Sequence, residues 1–256
     1  MLDLLPFLVI SLVAFGAATL TFFSGFGLGT LLLPAFTIFV PIELAVGMTA
    51  IVHLLNNVLK FGLVFRGIRL HILLYFGLGA IIGAALGSFS LNMISRLGIF
   101  YQTAIWGHKS EVNYIEFLLG IVMLVFALVE FYPKIAIAKI PLSVGGFISG
   151  FFGGLSGHQG ALRTLFLAHR NLNKKVFIAT GVAVSLLVDV TRLAFYQTNL
   201  ATLKIPYELL IVGVLSALAG SILGKILLEK TTMKVIQKIV GLALIILGIS
   251  ILTGLI

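Results

Sequence analysis

The sequence predicts an all-α protein, a polytopic transmembrane helical bundle. Three observations carry that prediction: an apolar composition, apolar runs long enough to cross a bilayer, and a glycine-rich break that recurs in each half. Of the 256 residues, 60% are hydrophobic and only 10% are charged, with a mean hydropathy of +1.21. Soluble domains carry roughly a quarter charged residues. Most of the long runs extend over about 18–22 residues, the length of a helix crossing a hydrocarbon core, whereas barrel strands alternate over roughly ten. The formal charge of +9 does not read as a nucleic-acid footprint. Most bases lie in short segments between apolar runs, where the positive-inside rule puts them. The chain has no cysteine, which excludes disulfides, thiolate metal sites and thiol catalysis. The opening Met1–Pro6 lacks the basic region of a cleaved signal, so the first apolar run is expected to be retained.

Taken in order, the first half offers Leu4–Phe23, Thr30–Val40, Leu44–Phe65, Leu70–Phe89 and Tyr114–Phe131. The second offers Ile140–Phe152, Ala161–Ala168, Val176–Tyr196, Pro206–Leu223 and Val235–Ile256. The first pair in each half is a broken pair. Ser24-Gly25-Phe26-Gly27-Leu28-Gly29 interrupts one, and Gly153-Gly154-Leu155-Ser156-Gly157-His158-Gln159-Gly160 the other. At about 1.5 Å per residue, Ala161–Ala168 is too short to span, so the broken members read as re-entrant half-helices or partial crossings. That gives about eight to ten membrane segments. Backbone groups freed at such a break find no water in lipid, so the breaks belong in the protein interior or against a cavity. The stretch Leu91–Asn113, with Arg96, Tyr101, Trp106, His108 and Lys109, reads as an interfacial connector.

The halves, 1–133 and 134–256, look like two copies of one repeat. His53-Leu54-Leu55-Asn56-Asn57-Val58-Leu59-Lys60 lies over Ser185-Leu186-Leu187-Val188-Asp189-Val190-Thr191-Arg192, with Leu, Leu and Val coincident and Lys60 over Arg192. Gly83 and Gly87 match Gly220 and Gly224, small-xxx-small spacings that let helices pack closely. Five elements per repeat invert the second copy relative to the first. If both members of each broken pair cross, or neither does, the bases separate by side. One side collects Arg66, Arg69, Lys134, Lys139, Arg170, Lys174, Lys175, Lys225, Lys230 and Lys234; the other holds Arg96, Lys109 and Lys204. The rule then places both termini outside the cytoplasm of a multi-pass protein in the cell membrane. A single crossing by each broken pair weakens the bias.

Chemistry concentrates on two faces. His53, Asn56, Asn57 and Lys60 stand at i, i+3, i+4 and i+7 on the third segment, and Ser185, Asp189 and Arg192 share the matching face. Ionisable groups in a span are costly unless they meet water, each other or a ligand. Lys60 and Arg192 either snorkel to the interface or turn inward. Asn56 and Asn57 are interhelical glue or site lining, with Asn57 the better candidate for the site. Asp189 either neutralises Arg192 at i+3 or serves the site, and a lone His53 is more often structural than functional. The second break adds His158, Gln159 and Arg163. Freed N–H groups and the dipole at a half-helix N-terminus make an anion site, and a guanidinium fork suits oxyanions. The competing reading pairs Arg163 with Asp189 as a structural bridge.

The run Gly25-Phe26-Gly27-Leu28-Gly29-Thr30-Leu31-Leu32-Leu33-Pro34, followed by Glu43-Leu44-Ala45-Val46-Gly47-Met48-Thr49, resembles the TauE/SafE family of membrane transporters. The similarity covers nearly the whole chain in length, duplication and segment order. The second half departs from the family pattern, with Ser156-Gly157-His158-Gln159-Gly160 in place of three glycines. The resemblance implies export or uptake of sulfite, organosulfonates or related organic acids. It also implies that the breaks, including Gly25, Gly27, Gly29 and Gly157, bind the substrate.

The resulting expectation is a secondary transporter for a small anion, working by alternating access, with no cofactor or metal and no nucleic-acid partner. Arg163, Lys60 and Arg192 supply positive charge, Asn57 and Gln159 neutral hydrogen bonds, and His53, His158 or Asp189 a coupling proton. No GxxxxGK[ST] motif is present, so the driving energy is a gradient. An intramembrane enzyme, with His53, His158, His169 and Asp189 as its cluster, is the first alternative, although HExxH and GxSxG motifs are absent. An anion channel is the second.

Overall fold

A computed structural model describes residues 4–22, 27–105, 108–131, 140–168, 170, 172–200, 204–227 and 233–255. The first half contains α1 (Leu4–Leu20), α2 (Leu28–Thr37), α3 (Ile42–Val64), α4 (Leu70–Ile94) and α5 (Tyr114–Phe131). The second contains α6 (Leu142–Ser156), α7 (Gln159–Ala168), α8 (Lys174–Leu200), α9 (Tyr207–Leu227) and α10 (Met233–Leu252). Each apolar run of the sequence is one helix. The largest shift is at the end of α4, which runs to Ile94 rather than Phe89, while α2 begins two residues early at Leu28 and α7 takes in Gln159 and Gly160 before Ala161. Proline sets three of the starts, Pro41 before α3, Pro141 before α6 and Pro206 before α9, where a fixed φ and a missing N–H cost nothing.

The connector between α4 and α5 is more ordered than the sequence predicts. α4 continues to Ile94, and the remainder closes into an antiparallel hairpin of β1 (Ile99–Ile105) and β2 (His108–Asn113). Its hydrophobic face explains why strands form there. Val112 is fully buried, the Tyr101 hydroxyl donates to the Leu252 carbonyl at the end of α10, and Phe100 packs on Tyr114 and Phe117 with ring centroids 4.8 and 4.4 Å apart. Trp106 lies outside the described residues.

The spans Ile42–Gly67, Leu70–Ile94, Tyr114–Phe131, Lys174–Tyr196 and Tyr207–Ile226 are long and apolar enough to cross a membrane. Their outward faces agree. Leu74, Leu78, Ile82 and Leu86 on α4, and Ile211, Leu215, Ile222 and Ile226 on α9, are all exposed. Apolar surface of that extent is a liability in water and ordinary in lipid. The chain is a multi-pass membrane protein.

Inside, the helices pair by two kinds of contact. α4 packs on α6 and α1 on α9 through glycine. A Cβ added to Gly79, Gly83 or Gly87 would run into the backbone of Ser143, Phe147 or Phe151, and one on Gly146, Gly150 or Gly154 into that of Phe76, Ala80 or Ala84. Gly220 and Gly224 meet Phe15 and Thr19 in the same way. In lipid, where apolar surface brings helices together only weakly, this close backbone approach supplies the dispersion contact. α3 and α8 face each other instead through polar side chains, and that seam leads to the site.

Candidate functional site

The second break is built by a left-handed residue. Gly157 has φ 81° and ψ 0°, and its amide donates to the Gly153 carbonyl at 3.0 Å, closing α6 as an αL cap. The next free carbonyl, that of Gly154, accepts from Ser88 at 3.2 Å and from the Tyr196 hydroxyl. α7 then starts at Gln159. At the first break, Gly27 has φ 109° and caps α2 with no side-chain hydrogen bond, while Leu31 donates to its carbonyl at 2.9 Å. Gly25 lies outside the described residues. The two breaks meet. A Cβ on Gly29 would stand 3.6 Å from the Gly157 carbonyl oxygen and 3.6 Å from the His53 ring. The N-termini of α2 and α7 therefore both end in the interior, beside the same histidine.

Asp189 is the hub of the seam, with 0% exposure. Its Oδ2 lies 2.7 Å from His53 Nδ1 and accepts from Asn57 Nδ2 at 2.9 Å. Its Oδ1 accepts from Gln159 Nε2 at 3.3 Å and lies 2.9 Å from Arg192 Nη2. An ionised carboxylate only accepts, so Nδ1 of His53 carries the ring proton. Four side chains from α3, α7 and α8 thus converge on one carboxylate. Burying that charge is tolerable only because its lone pairs are so fully engaged.

Arg192 is 1% exposed, and Lys60 4%, so neither snorkels to the membrane surface. Helices close over both. Lys60 Nζ sits 5.5 Å from the centroid of the Phe22 ring, a cation–π contact. Arg192 bridges two features: Nη2 is the ion-pair partner of Asp189, and Nη1 lies 2.8 Å from where a Gly157 Cβ would stand. Its Nε and Nη2 are buried without an aligned hydrogen-bond acceptor. Arg163, on α7 and 2% exposed, donates to Ser185. The ion pair with Asp189 is formed by Arg192, the i+3 neighbour.

His158 Nδ1 is 2.9 Å from Ser156 Oγ, its ring lies 5.4 Å from that of Phe126, and its Nε2 is buried without a partner. The Gln159 Oε1, Thr49 Oγ1 and Thr164 Oγ1 atoms are likewise buried and unpartnered. The two asparagines divide their roles: Asn57 joins the hub, and Asn56 accepts from Ser221 of α9 at 2.6 Å as interhelical glue. Of the predicted site residues, His53, Asn57, Gln159, Asp189 and Arg192 therefore form one cluster. Gly29 and Gly157 abut it, Arg163 stands one helical turn away through Ser185, and Lys60 lies further along the seam. His169, the remaining member of the enzyme alternative, lies outside the described residues.

Sequence reasoning missed Thr49, Tyr196, Ser88 and Ser149, whose hydroxyl donates to the Gln159 carbonyl at 2.9 Å. A signal existed for two of them. Thr49 precedes His53 by four residues and Tyr196 follows Arg192 by four, so each extends a face already marked by charge. Ser88 and Ser149 sit on glycine-lined helices where no periodic polar face announces them.

Neither a curated protein nor a solved structure matches the chain. One family model does, described as sulfite exporter TauE/SafE, over residues 10–251. The match covers nearly every element that builds the breaks and the seam, and the chain belongs to the TauE/SafE family.

Proposed function

We propose that this transporter moves a small oxyanion, sulfite or an organosulfonate, through the point where the two breaks meet. One observation carries the reading. Two buried guanidiniums, Arg163 and Arg192, accompany a single carboxylate, Asp189, and guanidinium stays charged at any physiological pH. Lys60 adds to the imbalance. A buried excess of positive charge is costly, and a bound anion removes the cost. The supply of hydrogen-bond donors points the same way, because Arg192 Nε and His158 Nε2 are buried without an acceptor beside two half-helix N-termini. Both protein and family support a transporter; the choice of oxyanion is the proposal.

Alternating access would come from rocking of one repeat against the other. The pairing of elements supports an inverted duplication over 1–133 and 134–256. α1 packs on α9 as α6 packs on α4, and the third and fifth helices of each half pack on their own counterparts. Asn57 and Asp189, superposed by the repeat alignment at a separation of 132 residues, hydrogen-bond to each other, as residues beside a pseudo-twofold axis do. With that inversion both termini lie outside the cytoplasm, on the side opposite Arg66, Lys174 and Lys175.

The test is a thermal-shift series on detergent-purified protein with sulfite, sulfate, thiosulfate, sulfoacetate, taurine, acetate and chloride. Ligand at about 100 times Kd stabilises the folded state by about 2.7 kcal/mol. Stabilisation by a sulfur oxyanion, lost in Arg163→Ala and Arg192→Ala, supports the reading. A shift that survives both substitutions removes the guanidiniums from the site.

A further inference from the structure

A cavity of about 710 Å³ opens at the end of the α3–α8 seam where α3 finishes and α8 begins. Its wall includes Phe22, Gly62, Arg66, Lys174, Lys175 and Ile178. Arg66, Lys174 and Lys175 are exposed side chains, and no carboxylate lines the cavity among the described residues. Two tracks lead from it to the site. On α8, Ile178 lines the cavity and Gly181, about one turn on, has Arg163 Nε 3.3 Å from its Cβ position. One further turn brings Ser185, which accepts from Arg163, and another brings Asp189. On α3, Gly62 lines the cavity, and Lys60, Asn57 and His53 follow toward the centre. Phe22 belongs to both regions, since it lines the cavity and carries the Lys60 ammonium over its ring. At about 1.5 Å per residue, Ile178 stands roughly 16 Å from Asp189 along the helix.

The geometry points to an anion-selective vestibule: the cavity gathers small, multiply charged oxyanions from the basic side of the membrane and passes them beneath Lys60 and Phe22 to the site at the breaks. This inference rests on the oxyanion-transport reading. A cleft with low-dielectric walls and charge of one sign focuses its field and raises the local concentration of counter-ions by roughly 10- to 1,000-fold. Arg66, Lys174 and Lys175 form that field at the mouth. The Phe22 ring under Lys60 narrows the passage and gives the ammonium a partner that is surrendered without breaking an ion pair.

The chain lacks cysteine, so a single introduced thiol reports on the cavity. Gly62→Cys is the position to use, because a Cβ there meets no atom within 4 Å. The full-length variant, in detergent, is reacted with methanethiosulfonates of matched size, one sulfonate-bearing and one trimethylammonium-bearing, and each rate is divided by that on free cysteine. We expect the anionic reagent to be favoured about tenfold, at the low end of the focusing range. In Gly62→Cys with Arg66→Gln and Lys175→Gln, that preference falls toward one. Phe22→Ala, by contrast, keeps the preference while quickening modification of an Asn57→Cys thiol deeper in the seam. Equal normalised rates, or a preference unmoved by removal of the two cations, overturn the vestibule. Labelling needs no transport, so the failures separate: loss of charge preference with oxyanion stabilisation intact sinks the vestibule alone. Charge preference without oxyanion stabilisation of the cysteine-free protein sinks the central site, and with it the passage proposed here.

Discussion

The two helix breaks are alike in backbone and opposite in chemistry. Both hinge on a glycine with positive φ, Gly27 at 109° and Gly157 at 81°, and both launch a ten-residue helix from the interior. Yet the sequence Ser24-Gly25-Phe26-Gly27-Leu28-Gly29 offers no charged side chain, and α2 adds only the hydroxyls of Thr30 and Thr37, while the second break carries His158, Gln159 and Arg163. The contrast extends to the helices behind them. α3 presents His53, Asn57 and Lys60, whereas α8 presents Ser185, Asp189 and the ion-paired Arg192. On the duplication proposed above, the scaffold supplies geometry twice and anion recognition once. The first break brings a bare backbone, Gly29, against the second, and the second supplies most of the groups that hold charge.

Substitutions at the two breaks can break or sharpen that comparison. The largest effect is expected at Asp189. In Asp189→Ala, Arg192 and the His53–Asn57 pair lose the one carboxylate they share, costing about 3–5 kcal/mol. Thermal denaturation should show a large fall, part of which Arg192→Met recovers in the double variant because the orphaned cation is gone. Strictly additive losses would mean that the pair is not a coupled unit. Next comes Arg192→Ala tested for oxyanion binding, where a loss of at least tenfold, or about 1.4 kcal/mol, is expected by thermal shift. No apolar truncation at the first break, such as Leu31→Ala, should change selectivity among oxyanions.

The two hinge glycines give the sharpest pairing. Alanine at φ near +81° or +109° costs about 1–2 kcal/mol of backbone strain at either position. Gly27→Ala also crowds Thr21, its Cβ falling 2.7 Å from Thr21 Cγ2, whereas Gly157→Ala crowds Arg192 Nη1 at 2.8 Å. Both variants should lose similar stability, but only Gly157→Ala should weaken oxyanion binding in proportion to the displaced guanidinium. Equal loss of binding would show that the first break recognises substrate as directly as the second. The smallest effect is expected at Ser221→Ala, which removes one hydrogen bond to Asn56 at about 1 kcal/mol. Denaturation should register it while the response to oxyanions stays unchanged; a changed response would move Asn56 from glue to site.

Much of this was legible from residue order because membrane helices must satisfy their own backbone. Apolar length and glycine interruption reveal all ten helices, and i, i+4 spacing alone puts His53 with Asn57. The hairpin was not legible. Its strands depend on Val112, Tyr101 and the end of α10 coming together, contacts that local composition does not contain. Nor was the inward burial of Lys60 and Arg192, since a cation late in a helix is equally able to reach the interface unless another helix closes over it.

The sequence by itself determined the environment, the segment order, the two breaks and the charged faces, for each follows from period, length or the special freedom of glycine. The tertiary structure decided which of those faces meet. Arg163 and Arg192 were equivalent candidates for Asp189, and α8 geometry gives the ion pair to Arg192 and leaves Arg163 donating to Ser185. The meeting of Gly29 with Gly157 was likewise decided by packing. Convergence of distant segments depends on how glycine-lined helices dock, and docking is a property of whole surfaces rather than of any one stretch of chain.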